Sequence, residues 1–268
     1  MKENIDTVLL GNRVVLLPYR TYHVPKYHEW MLDPQIRDLT ASEPLSLEEE
    51  YDMQQKWQND EDKLTFIILA RQADDQLPNG LGLSSLTAPV LPEDSKVKSL
   101  PMVGDVNLFL KGTRPGSAHS VQETGDDDDD FEVEIEIMIA GNYFFLYCQQ
   151  QTNFDFLYLY AERAYWRQGF ALESILLLLG YAMGKGSNFV TSSLSHTGLQ
   201  PFLNYIQTVQ APLSLTNIIT PDRLVVRISD SNEPSIRLFE KLGFKTTKKV
   251  EIFQEVEMRW RKPETGMI

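Results

Sequence analysis

Three short segments hold the residues whose types and spacing could do chemistry. The first is Trp166-Arg167-Gln168-Gly169-Phe170-Ala171-Leu172-Glu173, which follows a strand pattern and opens a strongly apolar helical run. Gly169 and Ala171 keep side chains small where a ligand would approach the backbone. The first N–H groups of such a helix have no internal partners and point toward an anion, for which a diphosphate is an apt guest. Arg167 would add charge there, or pair with a surface carboxylate. The spacing is neither GxxxxGK(S/T) nor GxGxxG. The second segment alternates: Val133, Ile135, Ile137 and Ile139 face one way, and Glu134, Glu136 and Met138 the other. Either carboxylate could accept a proton as a general base, or simply face water. The third begins at Ser231-Asn232-Glu233-Pro234, where Asn232 can cap a helix and Pro234 suits its first turn.

These segments need a frame of strands and helices. Strands are expected at Arg13 to Pro18, Thr65 to Leu69, Val103 to Leu110, Val133 to Ile139, Leu224 to Ile228, and within Val250 to Trp260. Helices are expected at Val24 to Leu32, from Ser46 onward, at Gly169 to Met183 and at Glu233 to Leu242. Ser46-Leu47-Glu48-Glu49 forms a capping box, with Leu47, Tyr51 and Trp57 as the apolar side of its helix. Gly243 fits the left-handed position that ends a helix. The pattern is mixed α/β, without repeats of solenoid period.

Bulk properties narrow the function classes. Lys and Arg number 25 against 38 Asp and Glu, giving a net charge of −13, and Asp126 to Asp130 form one acidic run. Such a surface repels a nucleic-acid backbone, and no basic stripe with interleaved aromatics offsets it. His23, His28, His119, His196 and Cys148 lack close metal-ligand spacing, so no metal is expected. No apolar run reaches the length of a membrane helix, and no secretory signal opens the chain. A single cysteine fits a reducing compartment, so the cytoplasm is expected, with the nucleus as a second location.

The combination of segments resembles the GNAT superfamily of acetyltransferases, and within it the N-acetyltransferase 9 family of the ribosomal-protein-acetyltransferase-like branch. The resemblance rests on GNRVVLLPY (Gly11 to Tyr19), YHEWM (Tyr27 to Met31) and LTASEPLSLEEEY (Leu39 to Tyr51). It continues through MVGDVNLFL (Met102 to Leu110), EIEIMIA (Glu134 to Ala140), WRQGFALE (Trp166 to Glu173) and NEPSIRLFEKLGF (Asn232 to Phe244). It implies a central, mostly antiparallel twisted sheet flanked by helices, in a single domain over residues 11–262. Insertions are expected at 71–101, 111–130, 141–161 and 184–221.

The implied activity is transfer of the acetyl group of acetyl-CoA to a protein or peptide amine, by direct attack in a ternary complex. The Arg/Gln-x-x-Gly-x-Gly/Ala loop of the superfamily cradles the diphosphate; here Trp166 stands first, Gly169 fourth and Ala171 sixth, within the run Trp166 to Ala171. The resemblance places Met138, Ile139 and Ala140 along the pantetheine arm, and Asn232 beside it. It places Glu43 in the acceptor-side loop, where it is also a turn residue before Pro44. Many relatives carry a tyrosine general acid where this chain has Phe239, and phenyl has no proton to donate. That departure leaves a second reading, a GNAT-shaped binding module without turnover.

Residues 141–161, GNYFFLYCQQQTNFDFLYLYA, interrupt the strand-to-loop-to-helix spacing. Exposed, so aromatic a loop would be a sticky patch. An added β-hairpin is one reading. A translated intervening sequence, which would restore the spacing if Ala140 joined Glu162 directly, is the favoured one. The sequence leaves the oligomeric state open.

Overall fold

Long β-branched and leucine-rich stretches with one face wholly apolar must pair and be covered, and here they form one eight-stranded sheet. The computed structural model describes residues 4–71, 90–115, 131–140, 168–184 and 212–261. In chain order the strands are β1 (Leu9–Leu10), β2 (Val14–Pro18), β3 (Lys63–Ala70), β4 (Met102–Lys111), β5 (Glu132–Ile139), β6 (Leu224–Ser229), β7 (Phe244–Val250) and β8 (Glu255–Trp260). The helices are α1 (Val24–Met31), α2 (Pro34–Thr40), α3 (Leu47–Asn59), α4 (Ser95–Lys98), α5 (Phe170–Met183), α6 (Leu213–Thr216) and α7 (Glu233–Lys241). Strand order is β1-β2-β3-β4-β5-β6-β8-β7. Every neighbouring pair is antiparallel except β5 and β6. The mixed α/β, mostly antiparallel sheet flanked by helices is the architecture the sequence implies.

Two cores sandwich the sheet. On one face Val133, Ile135, Val106, Leu108 and Phe66 pack under α5 and α7. Every residue of α5 except Ala171 is buried, as befits a helix apolar on all sides. On the other face Leu17, Ile67, Met138 and Ala140 pack against α1 through Val24, Tyr27, Trp30 and Met31.

Local chemistry sets the ends of these helices. Ser46 and Glu49 cap α3 reciprocally, the Glu49 N–H donating to Ser46 Oγ at 3.3 Å and the Ser46 N–H to Glu49 Oε2 at 2.8 Å. Asn232 Oδ1 accepts the Ser235 N–H at 3.3 Å at the start of α7. Gly243, at φ 93°, follows its end.

Of the apolar side expected for α3, Tyr51 and Trp57 are partly buried and pack against the second core, Trp57 edge-on to Phe109, while Leu47 is exposed. The most buried residues of the helix are polar, Glu50 and Gln54. Gln54 Nε2 donates to the Tyr19 carbonyl at 2.9 Å. Glu50 is 1 % exposed, its Oε2 has no partner, and desolvation pushes its carboxyl up to about 7. The His28 ring lies nearby, with Nδ1 3.9 Å from Oε1.

A raised folded-state value means the fold holds this proton more tightly than the unfolded chain does. The group's contribution is full below about 4.5 and is lost as pH rises through about 7. Glu50→Gln, which never ionises, is therefore expected to melt like the parent in mild acid and several degrees higher above neutrality. Thermal melts at two pH values check this; parallel pH slopes for the two proteins would rule it out.

Candidate active site

The centre of the sheet is only half closed. β5 spans eight residues and β6 six, yet they pair only at Val133↔Leu224 and Glu134↔Val225. Beyond those two rungs β5 and β6 are not paired, and among the described residues the upper half of β5, including Met138 and Ile139, has no strand on that side. On its other side β5 pairs with β4 up to Gly104↔Ile139, and the Ala140 N–H donates to the Val103 carbonyl at 2.9 Å. A β-carbon added to Gly104 would sit 2.0 Å from the Met138 carbonyl oxygen, so only glycine permits this approach. Backbone facing a gap between strands suits an extended ligand arm carrying its own amides.

The start of α5 lies against the turn that leads into β2, where Glu173 accepts the Arg13 N–H at 2.9 Å. Gly169 is the N-cap, at φ 84°, a left-handed conformation that L side chains rarely adopt. The Glu173 N–H makes the first helical bond, to the Gly169 carbonyl at 3.0 Å, so the N–H groups of Ala171 and Leu172 lie ahead of the helical ladder at its mouth. Phe170 is buried and Ala171 half-buried, so both side chains leave the helix mouth to backbone. Gln168 presents its carbonyl to the Arg13 guanidinium. Trp166 and Arg167 lie outside the described residues, as do Cys148, the acidic run and all of 141–161. Asn232 uses its side-chain oxygen as a cap, so a contact with a ligand arm falls to its amide nitrogen.

The two candidate carboxylates share a face but not an environment. Glu134 is 4 % exposed; its Oε2 takes Lys111 Nζ and lies 3.2 Å from Arg227 Nη1. Arg227 also reaches Glu132 at 2.7 Å and Glu257 at 3.2 Å, while Arg259 bonds Glu132 at 2.7 Å and Glu257 at 2.9 Å. Three cations and three carboxylates thus bind β4, β5, β6 and β8 below the split. Glu136 has no such partner among the described residues and reaches solvent. Although its side chain is exposed, desolvation first, then Glu134 and Asp105, push its carboxyl up to about 7 against the pull of Lys111 and Lys63.

Behind Glu136 lies a polar row that the sequence reading passed over. Asn107 is its cross-strand partner and donates from Nδ2 to Asp105 Oδ2 at 2.8 Å. Asp105, 2 % exposed and also bonded by Tyr27, is raised by desolvation to about 6. Tyr19 OH and Asn107 Oδ1 are buried without hydrogen-bond partners. Asp105 and Asn107 alternate with Val106 and Leu108 in sequence, so the test applied to Val133–Ile139 would have marked them too.

Three further side chains can be placed. Phe239 is 2 % exposed and stands edge-on to Phe244, so α7 offers no acid there. Tyr181 is buried on α5 with its hydroxyl 3.3 Å from Thr7 Oγ1, away from the split. Glu43 is exposed in the connection from α2 to α3, which follows Ala41 in a left-handed conformation at φ 48°. The structure brings Glu134, Glu136 and Met138 together, and joins Glu43 to none of them. Among the described residues no group of three or more His, Cys, Asp or Glu could hold a metal, and no helix is long and apolar enough to cross a membrane.

Comparison with known proteins agrees with this geometry. The family described as Acetyltransferase (GNAT) domain matches residues 13–245. The chain is similar to the mouse (Mus musculus) alpha/beta-tubulin-N-acetyltransferase 9, 35 % identical over 259 residues, covering 97 % of this chain and 73 % of the mouse protein. It is 32 % identical over 260 residues to an N-acetyltransferase 9-like protein of Nematostella vectensis, covering 97 % and 88 %. A Schizosaccharomyces pombe N-acetyltransferase 9-like protein is 31 % identical over 269 residues, covering 96 % and 97 %. A split sheet, a left-handed glycine opening a buried helix, and likeness along nearly the whole chain agree: this protein belongs to the GNAT acetyltransferases, in the N-acetyltransferase 9-like family, with acetyl-CoA as acyl donor and an amine as acceptor.

Proposed function

We propose that the chain acetylates a protein or peptide amine, an N-terminal α-amine or a lysine ε-amine, with Glu136 as general base. The observation that carries this is the placement of Glu136: exposed on β5 beyond the two rungs that join β5 to β6, across from Asn107 on β4, and raised to about 7. Acetyl-CoA supplies the activated carbonyl. Met138, Ile139 and Ala140 would hold its pantetheine arm along β5, and the Gly169 turn its diphosphate. An ammonium cannot attack, so Glu136 takes a proton as the amine reacts, and a base titrating near neutrality is matched to that task. Backbone N–H groups freed at the split would polarise the carbonyl as negative charge develops. Glu134, committed to Lys111 and Arg227, holds the strands and contributes a field that keeps Glu136 basic.

The mouse relative's name makes α- and β-tubulin the first acceptors to try, in the cytoplasm before the nucleus. Phe239 in place of a tyrosine acid favours a second reading, a binding module that holds acetyl-CoA without turnover. Incubating the full chain with acetyl-CoA, tubulin, and peptides carrying free α-amines or internal lysines separates the two. Acetylated product by mass spectrometry, with matching CoA release, is the expected result. CoA binding without any acetylated amine would favour the module.

A further inference from the structure

We propose that Arg13 binds the diphosphate of acetyl-CoA directly, supplying from the start of β2 the cation that Trp166 does not supply at the head of the phosphate motif. The inference rests on acetyl-CoA as donor and is independent of whether Glu136 is the base. Its basis is how the turn before β2 is fixed. Glu173, in the first turn of α5 and 2 % exposed, accepts the Arg13 N–H on Oε1 at 2.9 Å and also takes the N–H groups of Asn12 and Val14. A β-carbon on Gly11 would lie 2.2 Å from that same oxygen, so the turn sits directly on the carboxylate. From the other side the Arg71 guanidinium donates to the Gly11 carbonyl, and the Arg71 N–H to the Arg13 carbonyl at 2.7 Å.

With its backbone held on both sides, Arg13 extends its side chain across the mouth of α5. Its guanidinium donates to the Gln168 carbonyl, and Nη1 lies 2.6 Å from where a β-carbon on Gly169 would be. The residue is exposed, and its charge also acts on the buried Glu173 carboxyl, holding it lower than burial alone would. A guanidinium carries five N–H donors in a planar fork, so one bond to Gln168 leaves others for phosphate oxygens. An anion at this helix mouth would therefore meet backbone N–H groups and a full positive charge together. For a chain of net charge −13, a local cation also offsets repulsion of a polyanionic ligand.

Calorimetric titration with CoA tests this without any requirement for turnover. Arg13→Gln keeps a donor for the Gln168 carbonyl and removes the charge. It is expected to weaken CoA by about ten- to hundredfold with an unchanged melting curve, and Arg13→Lys to recover part of the loss. Dephospho-CoA, which keeps the diphosphate and lacks the 3′-phosphate, should show the same parent-to-variant ratio. Equal CoA affinity in folded Arg13→Gln would overturn the proposal, and a ratio that vanishes with dephospho-CoA would move Arg13 to the 3′-phosphate instead. Should Arg13→Gln fail to fold, the parent decides: CoA must protect Arg13 from phenylglyoxal in peptide maps, and unprotected Arg13 refutes the contact. A parent that binds no CoA removes the donor assignment and this proposal with it.

Discussion

Glu136→Gln is expected to lower acetylation of an acceptor peptide by about a hundred- to ten-thousandfold, the range for loss of a general base. CoA affinity should stay within about twofold, since in the proposed arrangement the arm would be held by backbone rather than by the Glu136 side chain. The pH profile carries the sharper test. In the parent the rate should climb through about 7 as the carboxyl loses its proton. The glutamine variant should lack that inflection. Its deficit should shrink in alkaline solution, where the amine is neutral unaided and hydroxide accepts the proton. Glu134→Gln should behave differently, because it leaves Lys111 and Arg227 short of a partner and lowers the melting temperature before it touches the pH profile. Steady-state rates across neutral pH, with CoA titrations and melts of both variants, decide the assignment. A fully active Glu136→Gln would return the deprotonation to Glu134, to water or to the loop carrying Glu43.

Gly104→Val should be the most damaging single change in the sheet. Its added β-carbon would meet the Met138 carbonyl at 2.0 Å and the Ile139 α-carbon at 3.1 Å, both backbone atoms that no rotamer change can remove. Moving them shifts the very stretch of β5 that lines the split. We expect a loss of about 3 kcal/mol or more, roughly 6–12 °C for a chain of this size. CoA binding should weaken further than the melt alone accounts for, because the displaced strand is the one proposed to hold the pantetheine arm. Scanning calorimetry with and without CoA checks both parts. A variant that melts and binds like the parent would show that β4 and β5 are not pressed together at this point.

The strands that the sequence revealed are those with a buried face, and the physical reason is uniform. Val133 to Ile139 and Val103 to Leu110 alternate because one side must be apolar. β7 escaped notice because Phe244–Val250 is an edge strand whose Lys245, Thr246, Lys248 and Lys249 face water, leaving no period to read. α2 escaped because none of its residues is buried. α3 was found by its cap, and Tyr51 and Trp57 pack inward as expected, but Glu50 and Gln54 escaped because an apolar pattern does not mark buried polar residues. In the site, alternation put Glu134 and Glu136 on one face but could not separate them. What separates them is Lys111 from β4 and Arg227 from β6, contacts made only once the sheet is assembled. Arg13 lies 155 residues from Gln168 in sequence, and no local spacing joins them.

The two rungs between β5 and β6 also bear on how fast such a protein could run. Its two half-sheets, β1 to β5 and β6 to β8, are held at that seam by two backbone pairs and the charge network beneath them. A ligand arm lying in the split adds rungs of its own and so fastens the seam. The spent carrier keeps the same arm after the acetyl group has gone, so it grips the halves about as firmly as the fresh one. Its departure has to reopen the seam. In such an arrangement the slow step of a cycle falls naturally on release of the spent carrier rather than on bond making.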